Sequence, residues 1–289
     1  MDQADTLREL LGKPRDAGHP LRVIAVTSGK GGVGKTNVSV NLATLAAAQG
    51  LRVLLIDADL GLANSHIVMG VAPRYHLGHL LDGTVGVDEV LTAGPHGLRM
   101  LSAASGVQEM TRLDDAQKLR LVTALDPLDE RFDLVLIDCG AGIGDNVVFF
   151  AGAAQMTLLV VTPEPTSLTD AYAAVKVLSQ QAGVRHFNVV VNTAPNEASA
   201  REIFDTLTSV TNRFLNARVR YLGFLPRDEN MHRAIMAQRP LVDLFPQSPS
   251  SRSLAALADR LFNEPAPMPL DGGMKFLWQR LLREQSQQG

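Results

Sequence analysis

Cysteine is almost missing from this 289-residue chain, with Cys139 the single one. One thiol cannot close an internal disulfide, complete a cysteine zinc cage or ligate an iron–sulfur cluster, so a disulfide-stapled secreted module and a cluster-bearing reductase are excluded. Aromatic residues are scarce, 5% of the chain with one tryptophan, and no apolar run reaches the length of a membrane span. The opening MDQADTLREL lacks the apolar core of a secretory signal. No charge of one sign dominates either. With a formal net charge of −3, no global field draws the chain to nucleic acid or membrane, and such a contact would need a local patch. The histidines show no metal spacing such as H-E-x-x-H, and His66, His76 and His79, clustered after the second strand, are expected to be surface or capping residues. The default expectation is a cytoplasmic protein.

What is present is apolar and patterned. Hydrophobic residues make up 46% and charged ones 20%, the balance of a folded globular chain and not of a disordered one. Short β-branched apolar runs alternate with longer amphipathic stretches, which predicts an α/β protein with a doubly wound, mostly parallel sheet and helices on both faces. The expected strands are Arg22 to Thr27, Val53 to Asp57, Leu98 to Leu101, Leu134 to Asp138, Thr157 to Val161, Asn188 to Asn192 and Tyr221 to Leu225. Expected helices include Asn37 to Gln49, closed by Gly50, Asp170 to Gln181, closed by Gly183, and Ala198 to Phe214. Three segments follow: a short helix and turn-rich linker over 1–20, the α/β domain over 21–263, and a Pro/Gly-rich hinge with a last helix over 264–289.

The run Val23 to Ser28 followed by Gly29-Lys30-Gly31-Gly32-Val33-Gly34-Lys35-Thr36-Asn37 is a strand, a glycine-rich turn and a helix start, the layout of a Walker A phosphate loop. Glycines let backbone N–H groups face phosphates, the helix N-terminus adds partial positive charge, Lys35 reaches the β and γ phosphates, and the Thr36 hydroxyl can ligate Mg²⁺. Gly29, Gly31 and Gly34 also satisfy G-x-G-x-x-G, with Asp57 placed to grip a ribose. Lys35 and Thr36 decide against a dinucleotide, because only a triphosphate with Mg²⁺ needs both. Two more apolar strands end in acids, one at Asp57 and Asp59, the other at Asp138 before Gly140-Ala141-Gly142-Ile143-Gly144. An aspartate ending a buried strand is the Walker B pattern, which holds the Mg²⁺ shell.

The extra lysine, Lys30, makes this the deviant Walker A signature, and here the sequence resembles the MinD/ParA branch of P-loop ATPases. The resemblance implies ATP and Mg²⁺ as ligands and a homodimer formed on ATP, in which Lys30 reaches the partner's nucleotide while Lys35 serves its own. It further implies that Asp59 orients the attacking water, that Asp57 and Asp138 serve the metal, and that Asn192 reads the adenine with help from Pro226, Arg227 and Asp228. Glu164 would touch the opposite nucleotide's ribose. One departure is Gly140, where MinD proteins carry proline.

Within that branch Asp2-Gln3-Ala4-Asp5-Thr6-Leu7-Arg8 resembles the D-Q-A-x-x-L-R segment of the FlhG/FleN flagellar-number regulators. Asp57 to Asn64, Ala141 to Asp145 and Thr162 to Ser167 resemble the same subgroup. By physics alone the first segment is a short helix with Asp2 near its N-terminus, favourable to the helix dipole. The resemblance implies that Asp2, Gln3, Leu7 and Arg8 dock on an FlhF-type GTPase, with Gln3 entering its active site. It raises a FleQ-type transcription regulator and flagellar switch proteins as further partners. The rival expectations are a MinD-type septum-site regulator and a ParA-like partitioning ATPase; the second needs a basic DNA-binding surface that the linear sequence does not display, so no direct nucleic-acid contact is expected.

From Met274, a helical wheel gathers Met274, Leu277, Trp278, Leu281 and Leu282 into one stripe, with Lys275, Arg280 and Arg283 on the remaining surface. Residues 272–289 carry about +2, leaving −5 for the rest. A cationic amphipathic helix behind a hinge is a membrane-surface element, marginal alone and effective when a dimer presents two. A helix packed on its own domain is the alternative. The expected location is therefore the cytoplasm, with peripheral attachment to the inner face of the cell membrane in the ATP-bound state.

Overall fold

The computed structural model describes residues 21–103 and 113–263. The expectations for Asp2, Gln3, Leu7 and Arg8, and for Met274, Leu277, Trp278, Leu281 and Leu282, lie outside the described residues.

Eight strands form one sheet: β1 (Arg22–Ser28), β2 (Val53–Ala58), β3 (Thr92–Ala93), β4 (Arg99–Leu101), β5 (Leu134–Ala141), β6 (Met156–Val161), β7 (His186–Ala194) and β8 (Arg218–Pro226). Their order is β3-β4-β2-β5-β1-β6-β7-β8, and every neighbouring pair is parallel except β3 with β4. All strands expected from apolar runs are present. β3 was not expected, because Thr92 and Ala93 are too few to leave a periodic signal. Helix α1 (Lys35–Ala48) follows β1; α2 (Ser65–Met69), α3 (Leu77–Leu81) and α4 (Val87–Val90) follow β2; α5 (Asp115–Leu125) precedes β5. Then come α6 (Asp145–Gly152), α7 (Pro165–Gln181) and α8 (Glu197–Phe214), and after β8, α9 (Glu229–Met236), α10 (Leu241–Leu244) and α11 (Pro249–Asn263).

The buried strands read as unbroken apolar runs because each serves two cores. On β2, Leu54 and Ile56 face one layer with Leu121, Val148 and Val175, while Val53 and Leu55 face the other with Leu42, Leu254 and Leu261. β1 and β5 divide in the same way, as expected of parallel strands covered by helices on both sides. β8 differs. It lies at the sheet edge and exposes Arg218 and Arg220 in alternation, charges that blunt an unpaired edge.

Two helix starts differ from expectation for local reasons. Helix α1 begins at Lys35 and not Asn37, since Gly34, at φ 91°, ends the loop and its carbonyl accepts the Val38 N–H at 3.0 Å. Helix α7 begins at Pro165, ahead of the expected Asp170, because a proline at the first helical position has its φ preset and needs no N–H partner. Helix α1 is buried on almost all sides, and its polar side chains are satisfied there: the Asn41 amide donates to Asn37 O at 2.7 Å and accepts from the Val242 N–H at 3.0 Å. His76 is the N-cap of α3, its Nδ1 accepting from the Gly78 N–H at 3.1 Å, in line with the capping role expected.

At the end of the sheet where the strands begin, Arg52 and Asp133 form a fork-to-fork pair. Arg52 Nη2 donates to Asp133 Oδ1 at 2.6 Å and Nε to Oδ2 at 3.0 Å, with the Arg52 backbone N–H adding a third bond at 2.9 Å. Arg22 Nη1 donates to the Leu261 carbonyl at 2.7 Å, closing the last turn of α11. At the opposite end, β1 sits between β5 and β6, where the chain first winds toward β2 and β4 and later crosses to β6, β7 and β8. Open α/β sheets bind ligands in the crevice outside the strand carboxyl ends at such a reversal.

Candidate functional site

The phosphate loop leaves β1 at Ser28 and enters α1 at Lys35. Gly32 and Gly34 have φ of 77° and 91°, a left-handed conformation that glycine adopts without a Cβ clash. A Cβ on Gly29 would lie 2.1 Å from the backbone of Asp170, so the loop packs directly on α7. Gly31 and Gly32 are exposed, and a Cβ on either would meet no atom within 4 Å. The loop therefore presents bare backbone beside a helix N-terminus, the requirement for cradling phosphate. Lys35 is 7% exposed at the head of α1, and the Thr36 hydroxyl hydrogen-bonds Asp138.

Strand pairing sets Asp57 on β2 directly opposite Asp138 on β5. Both are buried. The Asp57 carboxylate accepts from the Ser65 N–H at 2.9 Å and the Asp59 N–H at 3.3 Å, and Asp138 accepts from the hydroxyls of Ser39 at 2.9 Å and Ser65 at 3.4 Å. Burial pushes both carboxyls well above the usual carboxylate range, and the neighbouring Asp138 charge raises Asp57 further. Lys35 and the Thr36 and Ser39 hydroxyls draw Asp138 part of the way back. Two buried carboxyls side by side with hydroxyls at hand are an oxygen donor set that fits Mg²⁺, which uses one or two carboxylates together with substrate phosphates. Among the described residues there is no group of three or more His, Cys, Asp or Glu able to cage a metal unaided.

Asp59 stands nearer solvent, its Oδ1 accepting the Leu62 N–H at 3.2 Å. With Gly61, Gly140, Ala141, Asp145 and Asn146 it lines a cleft of about 430 Å³. Gly142, at φ 88°, donates its N–H to Ser28 O at 2.9 Å, which ties the loop after Asp138 to the strand that carries the phosphate loop. At Gly140 a Cβ would approach Asp59 Oδ1 to 3.7 Å, so its absence leaves room beside that carboxylate.

A second cavity of about 390 Å³ opens on the other side of the loop, lined by Gly32, Val33, Gly34, Asn37, Glu164, Asn192, Pro226, Arg227 and Asp228. The fold thus brings together residues drawn from four separate stretches of sequence. Asp228 is largely committed elsewhere: it caps α9, accepting from the Asn230 N–H at 3.0 Å, and also accepts from the Ser250 N–H at 3.0 Å. Burial alone would raise its carboxyl, but the Ser250, Ser248 and Asn230 hydrogen bonds prevail and hold it below its ordinary value. Lys30 and Glu164, expected to reach across to a partner's nucleotide, are ion-paired with each other at the outer rim in the single chain, and Lys30 also donates to Thr166 Oγ1 at 3.3 Å.

Sequence inspection missed Ser39, Ser65 and Thr193. Ser39 lies one helical turn after Lys35, so the i,i+4 spacing could have revealed it. Ser65 reaches the carboxylates only through the path of the loop after β2, and Thr193 is marked by its backbone alone, with φ 57°.

Comparisons with known proteins identify the family. A model of the CobQ/CobB/MinD/ParA nucleotide binding domain matches residues 24–241. Antiactivator FleN of Pseudomonas aeruginosa is 44% identical over 265 residues, covering 92% of this chain and 95% of its own length. The flagellum site-determining protein YlxH of Helicobacter pylori is 29% identical over 266 residues, 91% of this chain and 90% of its own. Among solved structures, the septum site-determining protein MinD of Pyrococcus horikoshii, complexed with Mg-ADP, superposes with a TM-score of 0.70 at 25% identity, covering 83% of this chain and 96% of its own.

Proposed function

The chain belongs to the MinD/ParA family of P-loop nucleotide-binding proteins, in its FlhG/FleN branch, and on that premise we propose that it is a membrane-associating ATPase that dimerises on ATP and controls flagellar number. It is an ATPase of the P-loop type. The observation that carries the proposal is the convergence of the Lys30-bearing phosphate loop with Asp57, Asp59 and Asp138 at one strand edge, in a chain similar along nearly its whole length to FleN.

Each residue then has a chemical task. Backbone N–H groups of Gly29 to Asn37 and the Lys35 ammonium bind the phosphates, with Lys35 stabilising charge that develops during transfer. Thr36, Asp57 and Asp138 would hold Mg²⁺, which neutralises phosphate charge when bound. Asp59, at the mouth of its cleft, orients the attacking water. Asn192, Pro226 and Arg227 receive the base, and Asp228 holds their loop in place through its caps. Turnover is slow and regulatory because positioning supplies most of the catalysis and Lys30 completes the site only across a dimer. For that, the Lys30–Glu164 pair within one chain opens and both side chains turn to the partner's nucleotide. The segment carrying Met274, Leu277, Trp278, Leu281 and Leu282, one from each chain of the dimer, then binds membrane as a pair of weak anchors.

The N-terminal segment, with Gln3 entering the active site, stimulates an FlhF-type GTPase, and a peptide of residues 1–20 tests this directly. The expected result is faster GTP hydrolysis by the FlhF-type protein of the same organism; no acceleration removes the flagellar partner and favours a MinD-type septum role. Lys30→Ala should abolish ATP-dependent dimerisation in light scattering. Asp59→Ala should dimerise yet fail to turn ATP over, and retained turnover would refute the role given to Asp59. Liposome flotation with and without ATP tests the tail, since equal flotation in both rules out nucleotide control of attachment.

A further inference from the structure

Thr193 follows Asn192 at the end of β7 in a conformation that needs a reason. It is a β-branched residue at φ 57°, in the left-handed region where such side chains are outliers. Its side chain is exposed, so core packing does not force the strain. Two hydrogen bonds do. Thr193 Oγ1 donates to the Asn192 carbonyl at 2.7 Å, and the Thr193 N–H donates to Asn192 Oδ1 at 2.9 Å. The other end of the same amide is also engaged: Asn192 Nδ2 donates to the Val33 carbonyl, within the phosphate loop, at 2.8 Å. A Cβ on Gly34 would lie 2.3 Å from that nitrogen, so the amide packs against a position that tolerates only glycine.

We propose that Thr193 is a positioning residue that locks the polarity of the Asn192 amide and so makes the base cavity select adenine over guanine. It rests on the reading of that cavity as the nucleotide-base site. A flipped amide would set Oδ1 against the Val33 carbonyl and the NH₂ group against the Thr193 N–H, two repulsions in place of two bonds. With its polarity fixed, the amide keeps one N–H and one oxygen lone pair uncommitted. Adenine offers a complementary edge, an amino donor beside a ring-nitrogen acceptor, whereas guanine offers two acceptors there. The uncommitted lone pair therefore accepts from the adenine amino group and meets only the carbonyl oxygen of guanine. Because the lock runs through Val33 and Gly34, base reader and phosphate loop form one unit.

The test is equilibrium binding of ATP, GTP and inorganic triphosphate to the full chain and to Thr193 variants. Thr193→Val keeps the β-branched strain and loses the hydroxyl that offsets it, so its ATP-over-GTP preference should fall by about ten-fold, the equivalent of one hydrogen bond. Inorganic triphosphate, which has no base, should bind it as it binds the parent. Thr193→Ser retains the hydroxyl and should restore the preference, and Thr193→Gly, for which the left-handed conformation is unstrained, should keep most of it. Should Thr193→Val not fold, Thr193→Ala carries the same expectation with a smaller loss. An unchanged preference in Thr193→Val and Thr193→Ala, which lose the hydroxyl and keep the strain, overturns the positioning role while leaving the base site standing. Equal binding of ATP and GTP by the parent chain instead removes the base-site reading, and the lock with it.

Discussion

Two aspartates of the β5 region, one just before the strand and one within it, are treated in opposite ways. Asp133, just before the strand, receives three hydrogen bonds from Arg52, two of them charged and in parallel. Asp138, five residues later, is fully buried beside another carboxylate, Asp57, among serine hydroxyls. One acid is matched by a cation from its own chain, and the other is left short of positive charge. Breaking a matched pair strands a partly buried charge; removing one of two crowded acids relieves a burial cost. The difference separates the end of the sheet that stabilises the fold from the end proposed above to take a cationic ligand.

The comparison can be broken most sharply at Lys35. Lys35→Ala should lower ATP turnover by at least about 10²-fold, the scale of losing one transition-state donor, while the thermal midpoint changes less than in Asp133→Ala; phosphate release and calorimetry read the two. Asp133→Ala should do the reverse. It is expected to cost about 3 kcal/mol and lower the midpoint by roughly 6–12 °C, with kcat retained at a temperature where the variant is folded. Next in size is ligand linkage. Mg²⁺ with ATP at a hundred times Kd should stabilise the parent by about 2.7 kcal/mol, and Asp138→Asn should abolish the Mg²⁺-dependent part without lowering the midpoint of the ligand-free protein. The smallest effect concerns Cys139, whose thiol is raised far above its ordinary value, by burial first and then by the Asp138 charge. Disulfide-exchange reagents should label it only as the protein unfolds, and fast labelling of the native state would contradict the burial of this end of β5.

Much of the fold was legible beforehand. The buried strands announced themselves as apolar runs, since facing two helical layers requires apolar residues on both sides, and only the two-residue β3 escaped. Gly50 and Gly183, expected to close their helices, both have positive φ. The phosphate loop was visible for the same local reason: a tight turn, a lysine and a hydroxyl at fixed spacing are demands on neighbouring residues. The cavity proposed to take the base was half legible. Asn192 and residues 226–228 were expected there, but Asp228 is diverted, in part locally by capping α9 through the Asn230 N–H and in part by the Ser250 N–H, 22 residues away in sequence, which only the fold brings to it.

The sequence by itself determined the layered α/β architecture and the phosphate loop, because apolar periodicity and glycine backbone freedom act over a few residues. Tertiary structure alone decided which acids meet. Arg52 bonds Asp133 across 81 residues and Asn192 bonds Val33 across 159, while Asp57 and Asp138 face each other through the register of two parallel strands. Contacts closed over such separations leave no periodic trace along the chain. They arise from strand order, and strand order is fixed by how the helices cover the two faces of the sheet.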